Sequence, residues 1–193
     1  MQRVCVFCGS NMGIRPVYQL AAEAMGKALA KRGLELVYGG GNVGLMGVVA
    51  DATLNAGGKV IGVIPQLLVD KELAHPNLTQ LHIVNSMHER KALMADLSDA
   101  FIALPGGFGT FEEFCEVLTW SQLGIHHKAF GLLNVERYYD NLLALFDHAV
   151  DEQFLAPKHR SLVLQSSDPD RLLDALLNYQ PVMVDKWLNR SQR

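Results

Sequence analysis

The amino-acid sequence predicts an α/β protein: a doubly wound, mostly parallel β-sheet with helices on both faces, in a single domain. Three observations lead to this fold class. Short apolar runs of strand length alternate with longer segments in which apolar residues recur at helical spacing, as in parallel sheets whose strands are connected by helices. Two glycine-rich turns each stand between such a strand and such a helix. The 193 residues contain no linker and no repeat, which suits one core.

The predicted elements alternate along the whole chain. Strands are predicted at residues 4–8, 34–38, 59–64, 81–84, 100–104, 129–133 and, at an edge, 162–164. Helices are predicted at residues 18–31, from the turn at 39–47 to about residue 57, at 86–97, from the turn at 105–110 to about residue 123, at 138–151 and at 170–177. Gly33 marks the end of the first helix, and Asp168 with Pro169 marks the start of the last. Residues 66–78 predict an irregular surface segment, and the tail from about residue 186 is expected to fray.

Composition and charge exclude several classes of protein. The formal net charge is −3 and no basic tract is present, which argues against nucleic acid as a partner. No apolar run reaches the ~18 residues that a membrane span needs. The sequence enters its first strand within a few residues, so we expect no signal peptide. Three cysteines are too few for a disulfide framework, and a reducing, cytoplasmic setting is expected.

The strongest functional signal is the segment 105–113, Pro-Gly-Gly-Phe-Gly-Thr-Phe-Glu-Glu. It follows a predicted buried strand and opens a predicted helix. Glycines allow the backbone to approach an oxyanion closely, and the free N–H groups of a first helical turn point at it. The segment, which contains Gly107, Phe108, Gly109 and Thr110, therefore predicts an anion site on its backbone.

A second glycine-rich turn, residues 39–44, matches the dinucleotide-binding pattern G-x-G-x-x-G, which alone is a weak signal. The acidic residue that should bind the ribose about 20 positions later is missing, because Ile64 and Pro65 stand there. This disfavours a dinucleotide cofactor and an NAD-dependent dehydrogenase, and we predict no cofactor. A contact with the phosphate or ribose of a mononucleotide is favoured, while glycines needed only for helix–strand packing stay an alternative.

Both glycine-rich turns and the turn at Ser10 follow the carboxyl ends of predicted strands. In a parallel sheet these ends lie at one edge, and ligands bind beyond them. We therefore expect Ser10, Gly40 and Gly41 to close one crevice around the phosphate site.

Arg90 occupies an unusual position for a charged residue. At helical spacing it shares a stripe with Met87, Met94 and Leu97, which predicts a packed face. A guanidinium there needs an anionic partner, either a structural carboxylate or a ligand, and we favour a ligand. The neighbouring Lys91 is turned about 100° around the helix, where a solvated surface position is its simplest interpretation.

Glu113 has two interpretations. Thr110 and Glu113 fit a capping box at a helix start, which is a structural role, and Glu112 beside it would compensate the helix dipole at the surface. However, a carboxylate close to a bound phosphate is electrostatically unfavourable unless positive charge develops nearby. Cleavage of an N-glycosidic bond passes through an oxocarbenium-like ribosyl cation, so Glu113 is a candidate catalytic group.

No metal or redox site is predicted. Cys5 and Cys8 stand three apart in a strand and therefore face opposite ways. The adjacent His126 and His127 lack further ligands at a metal-binding spacing.

With these motifs placed, the sequence resembles the Lonely guy family of cytokinin-activating phosphoribohydrolases. The resemblance covers roughly residues 3–180 and rests on the signature at 105–113, on Met-His-Glu-Arg-Lys at 87–91, and on stretches at 7–10, 38–47, 62–65 and 119–126. It implies a Rossmann-like homodimer that hydrolyses the N-glycosidic bond of a nucleoside 5′-monophosphate. The products would be ribose 5-phosphate and a free base, adenine or an N6-substituted adenine.

The resemblance also implies roles for individual residues. Arg90 and Glu113 match the family's catalytic residues, and residues 107–110 match its phosphate-binding loop. Positions that contact the substrate are matched by Glu72, Lys91 and Thr119.

Two other functions are weighed against this one. Relatives are often labelled lysine decarboxylases, but a pyridoxal-phosphate motif S-x-H-K would need serine where Ile125 stands. A nucleotide-binding carrier or sensor without chemistry would use the same sheet and the same phosphate site. That carrier is the alternative function.

Overall fold

The computed structural model describes residues 1–71 and 73–181. Its strands form one seven-stranded sheet in which each pair of neighbouring strands is parallel. The strands are β1 (Arg3–Phe7), β2 (Glu35–Tyr38), β3 (Val60–Pro65), β4 (Gln80–Val84), β5 (Ala100–Ala103), β6 (Ala129–Leu133) and β7 (Val163–Ser166). Each lies within one or two residues of its predicted position, and the predicted fold class is confirmed.

The strand order β4-β3-β2-β1-β5-β6-β7 places the first strand in the middle of the sheet. The chain builds outward from β1 to β4 and then returns to pair β5 with the other side of β1. Such a reversal is a topological switch point, where the loops at the carboxyl ends of two adjacent strands diverge and leave a crevice. Phe7 pairs with Ala103 at that end, so the loops after these two residues flank the crevice.

Helices connect the strands and cover both faces of the sheet. They are α1 (Pro16–Lys31), α2 (Gly44–Asn55), α3 (Gln66–Val69), α4 (Met87–Leu97), α5 (Phe108–Gln122), α6 (Asp140–Asp151), α7 (Pro157–Arg160) and α8 (Pro169–Leu177), with a 3-10 turn at Val135–Arg137. On one face, α1, α2 and α8 bury residues such as Met25 and Leu172. On the other, α4, α5 and α6 bury residues such as Met94 and Phe114.

Residues 66–78 differ from the irregular segment that was predicted, because they open with the short helix α3. Gln66 begins that helix, and its side-chain amide donates to the Asp70 carboxylate at 2.7 Å. Farther along, an isolated bridge between Gly41 and Ala74 ties the segment to the second glycine-rich turn. The segment therefore continues directly from β3 and pairs with the turn that follows β2.

Several other predictions concern single residues and the ends of the chain. Asp168 caps α8 by accepting from the N–H of Arg171 at 2.8 Å, as predicted. Cys5 and Cys8 are buried on opposite sides of the sheet, also as predicted. Glu72 and the tail expected to fray lie outside the described residues. Among the described helices, none combines the length and the apolar character that a membrane crossing requires.

Candidate active site

Helix α5 begins in the glycine-rich loop that carries the strongest sequence signal. Gly107 is its N-cap, and Phe108 is the first helical residue. The N–H groups of this first turn have no acceptor within the helix, and residues 106–110 line a cleft. The capping box predicted from Thr110 and Glu113 is wrong, because the cap lies three residues earlier and no side chain caps the helix. The glycine at the cap leaves the first-turn donors open to a ligand.

Close backbone packing shapes the loop that leads into α5. The Gly9 N–H donates to the Pro105 carbonyl at 3.0 Å, which joins the loop after β1 to the loop after β5. A Cβ atom at Gly106 would lie 2.1 Å from Thr110 Oγ1 and 2.8 Å from the Gly9 nitrogen. The packing therefore requires glycine at position 106.

The cleft beside this loop has a volume of about 530 Å³, within the usual range for a small-molecule site. It lies at the switch point between β1 and β5. Ser10 and residues 107–110 line it, and Arg90 and Glu113 reach it from α4 and α5. The structure thus brings Ser10 next to the predicted phosphate loop, with Arg90 and Glu113 beside both.

Arg90 is buried and held by two contacts. Its Nη1 lies 3.2 Å from Glu113 Oε1, and its Nε donates to the Val63 carbonyl at 3.2 Å. A Cβ atom at Gly39 would lie 1.9 Å from the Arg90 Nη2, so the glycine at the end of β2 leaves the space that the guanidinium occupies. The sequence left open whether the partner of Arg90 is a carboxylate or a ligand. The partner is a carboxylate that lines the same cleft as Arg90.

Glu113 is held in a poorly hydrated position. Its side chain is only 10% exposed, and burial raises the pKa of its carboxyl from 4.5 to about 6, while the nearby Arg90 charge opposes that rise. Burial wins because one guanidinium does not replace the water that the carboxylate loses. The group therefore changes charge just below neutral pH, where a catalytic acid or base is most useful.

The second glycine-rich turn packs against the loop after β1, which lines the cleft. A Cβ atom at Gly44 would lie 2.2 Å from the carbonyl carbon of Ser10, so this glycine lets the loop after β1 pack against the start of α2. The Gly40 carbonyl accepts from the His75 N–H at 2.9 Å, and Gly41 forms the bridge to Ala74. Neither Gly40 nor Gly41 lines the cleft, so their contact with a substrate stays a prediction.

Lys91 lies beside Arg90 on α4 but does not line the cleft. Its ammonium is buried and pairs with the carboxylates of Glu112 and Glu116, the second at 3.2 Å. The prediction that Lys91 occupies a solvated surface position is therefore wrong. The prediction that Glu112 compensates the dipole of α5 is also wrong, because Glu112 lies beyond the first turn of that helix. Substrate contact by Lys91 stays a prediction.

Thr119 lies farther along α5, away from the cleft. It lines a separate apolar groove of about 280 Å³ between α5 and α6, and its hydroxyl donates to the Cys115 carbonyl at 2.7 Å. Its substrate contact stays a prediction. The substrate contact of Glu72, which lies outside the described residues, also stays a prediction.

Two tyrosines in the cleft have no counterpart in the sequence predictions. Tyr18 of α1 and Tyr138, which precedes α6, both line it. Their rings meet edge to face, with 5.8 Å between centroids, and the Tyr138 hydroxyl donates to the Gly106 carbonyl. No local pattern indicates them, because each reaches the cleft through a long-range contact.

Metal-binding side chains are not grouped in the part of the chain that the structure describes. No set of three or more His, Cys, Asp or Glu residues there could hold a metal ion.

Comparison with known proteins assigns a family to this arrangement. A family model described as "possible lysine decarboxylase" matches residues 46–176. A rice (Oryza sativa subsp. japonica) protein named as a probable cytokinin riboside 5′-monophosphate phosphoribohydrolase is 55% identical over 181 residues, covering 94% of this chain and 80% of its own. The chain belongs to the Lonely guy family. An Arabidopsis thaliana cytokinin riboside 5′-monophosphate phosphoribohydrolase of this family is 49% identical over 180 residues, covering 93% of this chain and 83% of its own.

Solved structures of proteins with much lower sequence identity share the fold of this Lonely guy protein. The molybdenum cofactor carrier protein of Chlamydomonas reinhardtii superposes with a TM-score of 0.69 at 20% identity, covering 92% of this chain and 99% of its own. The molybdenum cofactor binding protein of Rippkaea orientalis gives 0.70 at 21% identity, covering 91% and 95%. At these identities the likeness concerns the fold alone.

The residues of the chain do not fit the decarboxylase description of the family model. Ile125 occupies the position where a pyridoxal-phosphate motif would have serine. The Lys128 ammonium donates to the Ala95 carbonyl at 2.7 Å, and the Lys128 N–H donates to His126 Nδ1. The first of these bonds joins the segment before β6 to α4, and the second lies within that segment.

Proposed function

We propose that this Lonely guy protein hydrolyses the N-glycosidic bond of adenosine 5′-monophosphates, including N6-substituted ones, to a free base and ribose 5-phosphate. The observation that carries the proposal is the buried Arg90–Glu113 pair beside the open N-terminus of α5. The N-terminus can bind the 5′-phosphate of a nucleotide. The carboxylate one turn farther along the helix can stabilise the positive charge of a ribosyl cation. The names of its close relatives support the same reaction.

The phosphate anchors the substrate in this mechanism. The 5′-phosphate binds the N–H groups of residues 107–110, and the helix dipole adds to the attraction. Charge-assisted hydrogen bonds of this kind are each worth about 1.5–3 kcal/mol. Because Glu113 follows on the same helix, an anchored ribose lies within its reach, and Ser10 borders the same space.

Glu113 and Arg90 then act on the bond itself. The glycosidic bond breaks with its electron pair passing to the base, and Arg90 stabilises the negative charge that develops there. The Glu113 carboxylate stabilises the ribosyl cation and takes a proton from the attacking water, whose oxygen forms the new bond to the ribose. The departing base takes up a proton from solvent, and Glu113 releases to solvent the proton that it took from the water, so that hydrolysis consumes one water and restores the carboxylate.

One assay separates this enzyme from a carrier without chemistry. The purified protein is incubated with AMP and with N6-isopentenyl-AMP, and free base and ribose 5-phosphate are measured by chromatography. We expect both products in equal amounts, and only a small fraction of them in the same time with a Glu113→Gln variant. Tight binding of either nucleotide without release of base would contradict the proposal and support a nucleotide carrier or sensor.

The assembly and setting of the protein form part of the same proposal. The family resemblance supports a homodimer, and light scattering coupled to size-exclusion chromatography tests it. The net charge of −3 and the buried free thiols of Cys5 and Cys8 support a reducing, cytoplasmic setting with neither nucleic acid nor a membrane as partner. Cell fractionation tests that setting, and a monomer or a membrane-bound pool would count against it.

A further inference from the structure

Three consecutive carbonyls precede the phosphate-binding loop, and each accepts a hydrogen bond from another part of the chain. The Leu104 carbonyl accepts from the Tyr139 hydroxyl at 2.6 Å, and the Pro105 carbonyl accepts from the Gly9 N–H at 3.0 Å. The Gly106 carbonyl accepts from the Tyr138 hydroxyl at 2.5 Å. The backbone that enters α5 is therefore held by donors from two other loops.

The third of these bonds lies closest to the phosphate site. A trans peptide is planar, so fixing the Gly106 carbonyl also fixes the direction of the Gly107 N–H in the same peptide plane. Glycines at 106, 107 and 109 would otherwise leave this segment with large conformational freedom, and ordering it on binding would cost affinity. The Tyr138 hydroxyl removes part of that freedom before the substrate arrives.

Tyr138 is itself held by an unusual turn. The two residues before it, Glu136 and Arg137, adopt positive φ angles of 50° and 61°, a conformation that non-glycine residues reach only with strain. Glu136 pairs with Arg15 at 2.6 Å, and Arg137 pairs with Asp140 at 2.5 Å. Positive φ angles in non-glycine residues cluster at functional sites, and here they present the tyrosine to the glycine loop.

We propose that Tyr138 is a positioning residue for the phosphate-binding loop. Its hydroxyl orients the Gly106–Gly107 peptide so that the loop's donors are set for the 5′-phosphate, while its ring packs on Tyr18 at the cleft mouth. This inference rests on the proposed function for the identity of the substrate. It concerns anchoring of the phosphate, which the ground state and the transition state share, and therefore KM more than kcat.

The chain offers a matched control in the next residue. Tyr139 also donates its hydroxyl to a carbonyl before the loop, but that carbonyl belongs to Leu104, two residues before Gly106. The Tyr139 side chain is fully buried. Tyr138, by contrast, is 37% exposed, so water can replace its hydroxyl and the fold tolerates the loss. Tyr138→Phe and Tyr139→Phe thus remove the same group from neighbouring positions with different consequences.

The experiment measures steady-state kinetics with AMP, and the Kd for ribose 5-phosphate and for inorganic phosphate by calorimetry. For Tyr138→Phe we expect KM and both Kd values to rise about tenfold, which corresponds to about 1.4 kcal/mol, with kcat within about twofold of the wild type. For Tyr139→Phe we expect a lower melting temperature with all three affinities unchanged. Arg15→Gln, which loosens the turn but keeps both hydroxyls, should raise KM about twofold, as a weakened exposed ion pair permits.

The outcomes separate this inference from the proposed function. Wild-type affinities in a folded Tyr138→Phe variant overturn it, and so does an equal loss of affinity in Tyr138→Phe and Tyr139→Phe. If Tyr138→Phe fails to fold, the Arg15→Gln affinities decide in the same way. If the wild type releases no base, the proposed function fails, but the two phosphate-binding measurements still test Tyr138.

Discussion

Two charged clusters join the same pair of helices, and they differ in what surrounds their acids. In the cleft, Arg90 of α4 faces Glu113 of α5, and the two side chains are 9% and 10% exposed. Beside them, Lys91 faces Glu112 and Glu116, whose side chains are 55% and 27% exposed. Adjacent residues on each helix thus build one buried pair and one partly solvated cluster.

The two clusters differ in the hydration of their carboxylates, although both contain an ion pair. Glu112 and Glu116 keep water at their carboxylates and share one ammonium, which suits a link between two helices. Glu113 loses its water to burial and gains one guanidinium, and the pKa of its carboxyl rises to about 6. Burial is therefore the property that marks the acid suited to catalysis near neutral pH.

The largest effect should come from removing the buried acid. Glu113→Gln keeps the shape of the side chain but can neither take a proton from water nor stabilise a cation by charge. We expect kcat with AMP to fall by about 10²–10⁴-fold, the contribution typical of a positioned acid or base. The Kd for AMP should stay within a few-fold of the wild type. Release of adenine at the wild-type rate would refute the role of Glu113.

The partner of that acid should have the next largest effect. Arg90→Ala removes the charge that favours departure of the base, and turnover should fall by about a hundredfold or more. The protein should stay folded, because the buried Glu113 can neutralise itself by binding a proton when its cation is gone. Circular dichroism on heating checks this, and a variant that is unfolded at room temperature would make Arg90 a structural residue.

Much of the buried pair was predictable from the sequence, and little of the neighbouring cluster was. Arg90 stood out because a guanidinium in an apolar helical stripe violates the usual pattern. The strand-to-helix alternation located Glu113 at the right edge of the sheet. The contacts of Lys91 were not predictable, because they depend on the distance and rotation between α4 and α5, which no local pattern encodes.

Two other features of the site were not predicted from the sequence, for different physical reasons. Both Gly107 and Thr110 are acceptable N-caps, so the sequence could not fix the first residue of α5, and the capping box was misassigned. The Tyr138 hydroxyl reaches a carbonyl 32 residues away in the chain. Only the folded sheet, which brings the loops after β5 and β6 side by side, creates that contact.

The pH dependence of kcat/KM gives a further prediction. If Glu113 acts as a carboxylate, kcat/KM should rise with pH through about 6 and fall about tenfold per unit below that midpoint, because kcat/KM reports the pKa values of the free enzyme. The 5′-phosphate of AMP also titrates at about pH 6. Measuring kcat/KM with AMP, together with the pH dependence of ribose 5-phosphate binding, separates the two groups. A flat wild-type kcat/KM from pH 5 to 8 would argue against Glu113 as the base.

The same pKa shift makes a prediction about stability. The folded pKa of Glu113 lies above its ordinary value of 4.5, so the folded state binds more protons than the unfolded state between pH 4.5 and about 6. The free energy of unfolding contributed by this group therefore decreases as pH rises through that window. Glu113→Gln should lose this part of the slope in urea titrations across the window, and an unchanged slope would contradict the shift.

The smallest effect should come from the matched change in the solvated cluster. Glu116→Gln alters the same residue type on the same helix, opposite the neighbouring cation of α4. Because Glu116 is 27% exposed and Glu112 still pairs with Lys91, the free energy of unfolding should fall by less than about 1 kcal/mol. Turnover of AMP should stay within about twofold of the wild type. A loss as large as that of Glu113→Gln would show that the two clusters act together, and burial would then no longer distinguish the catalytic acid.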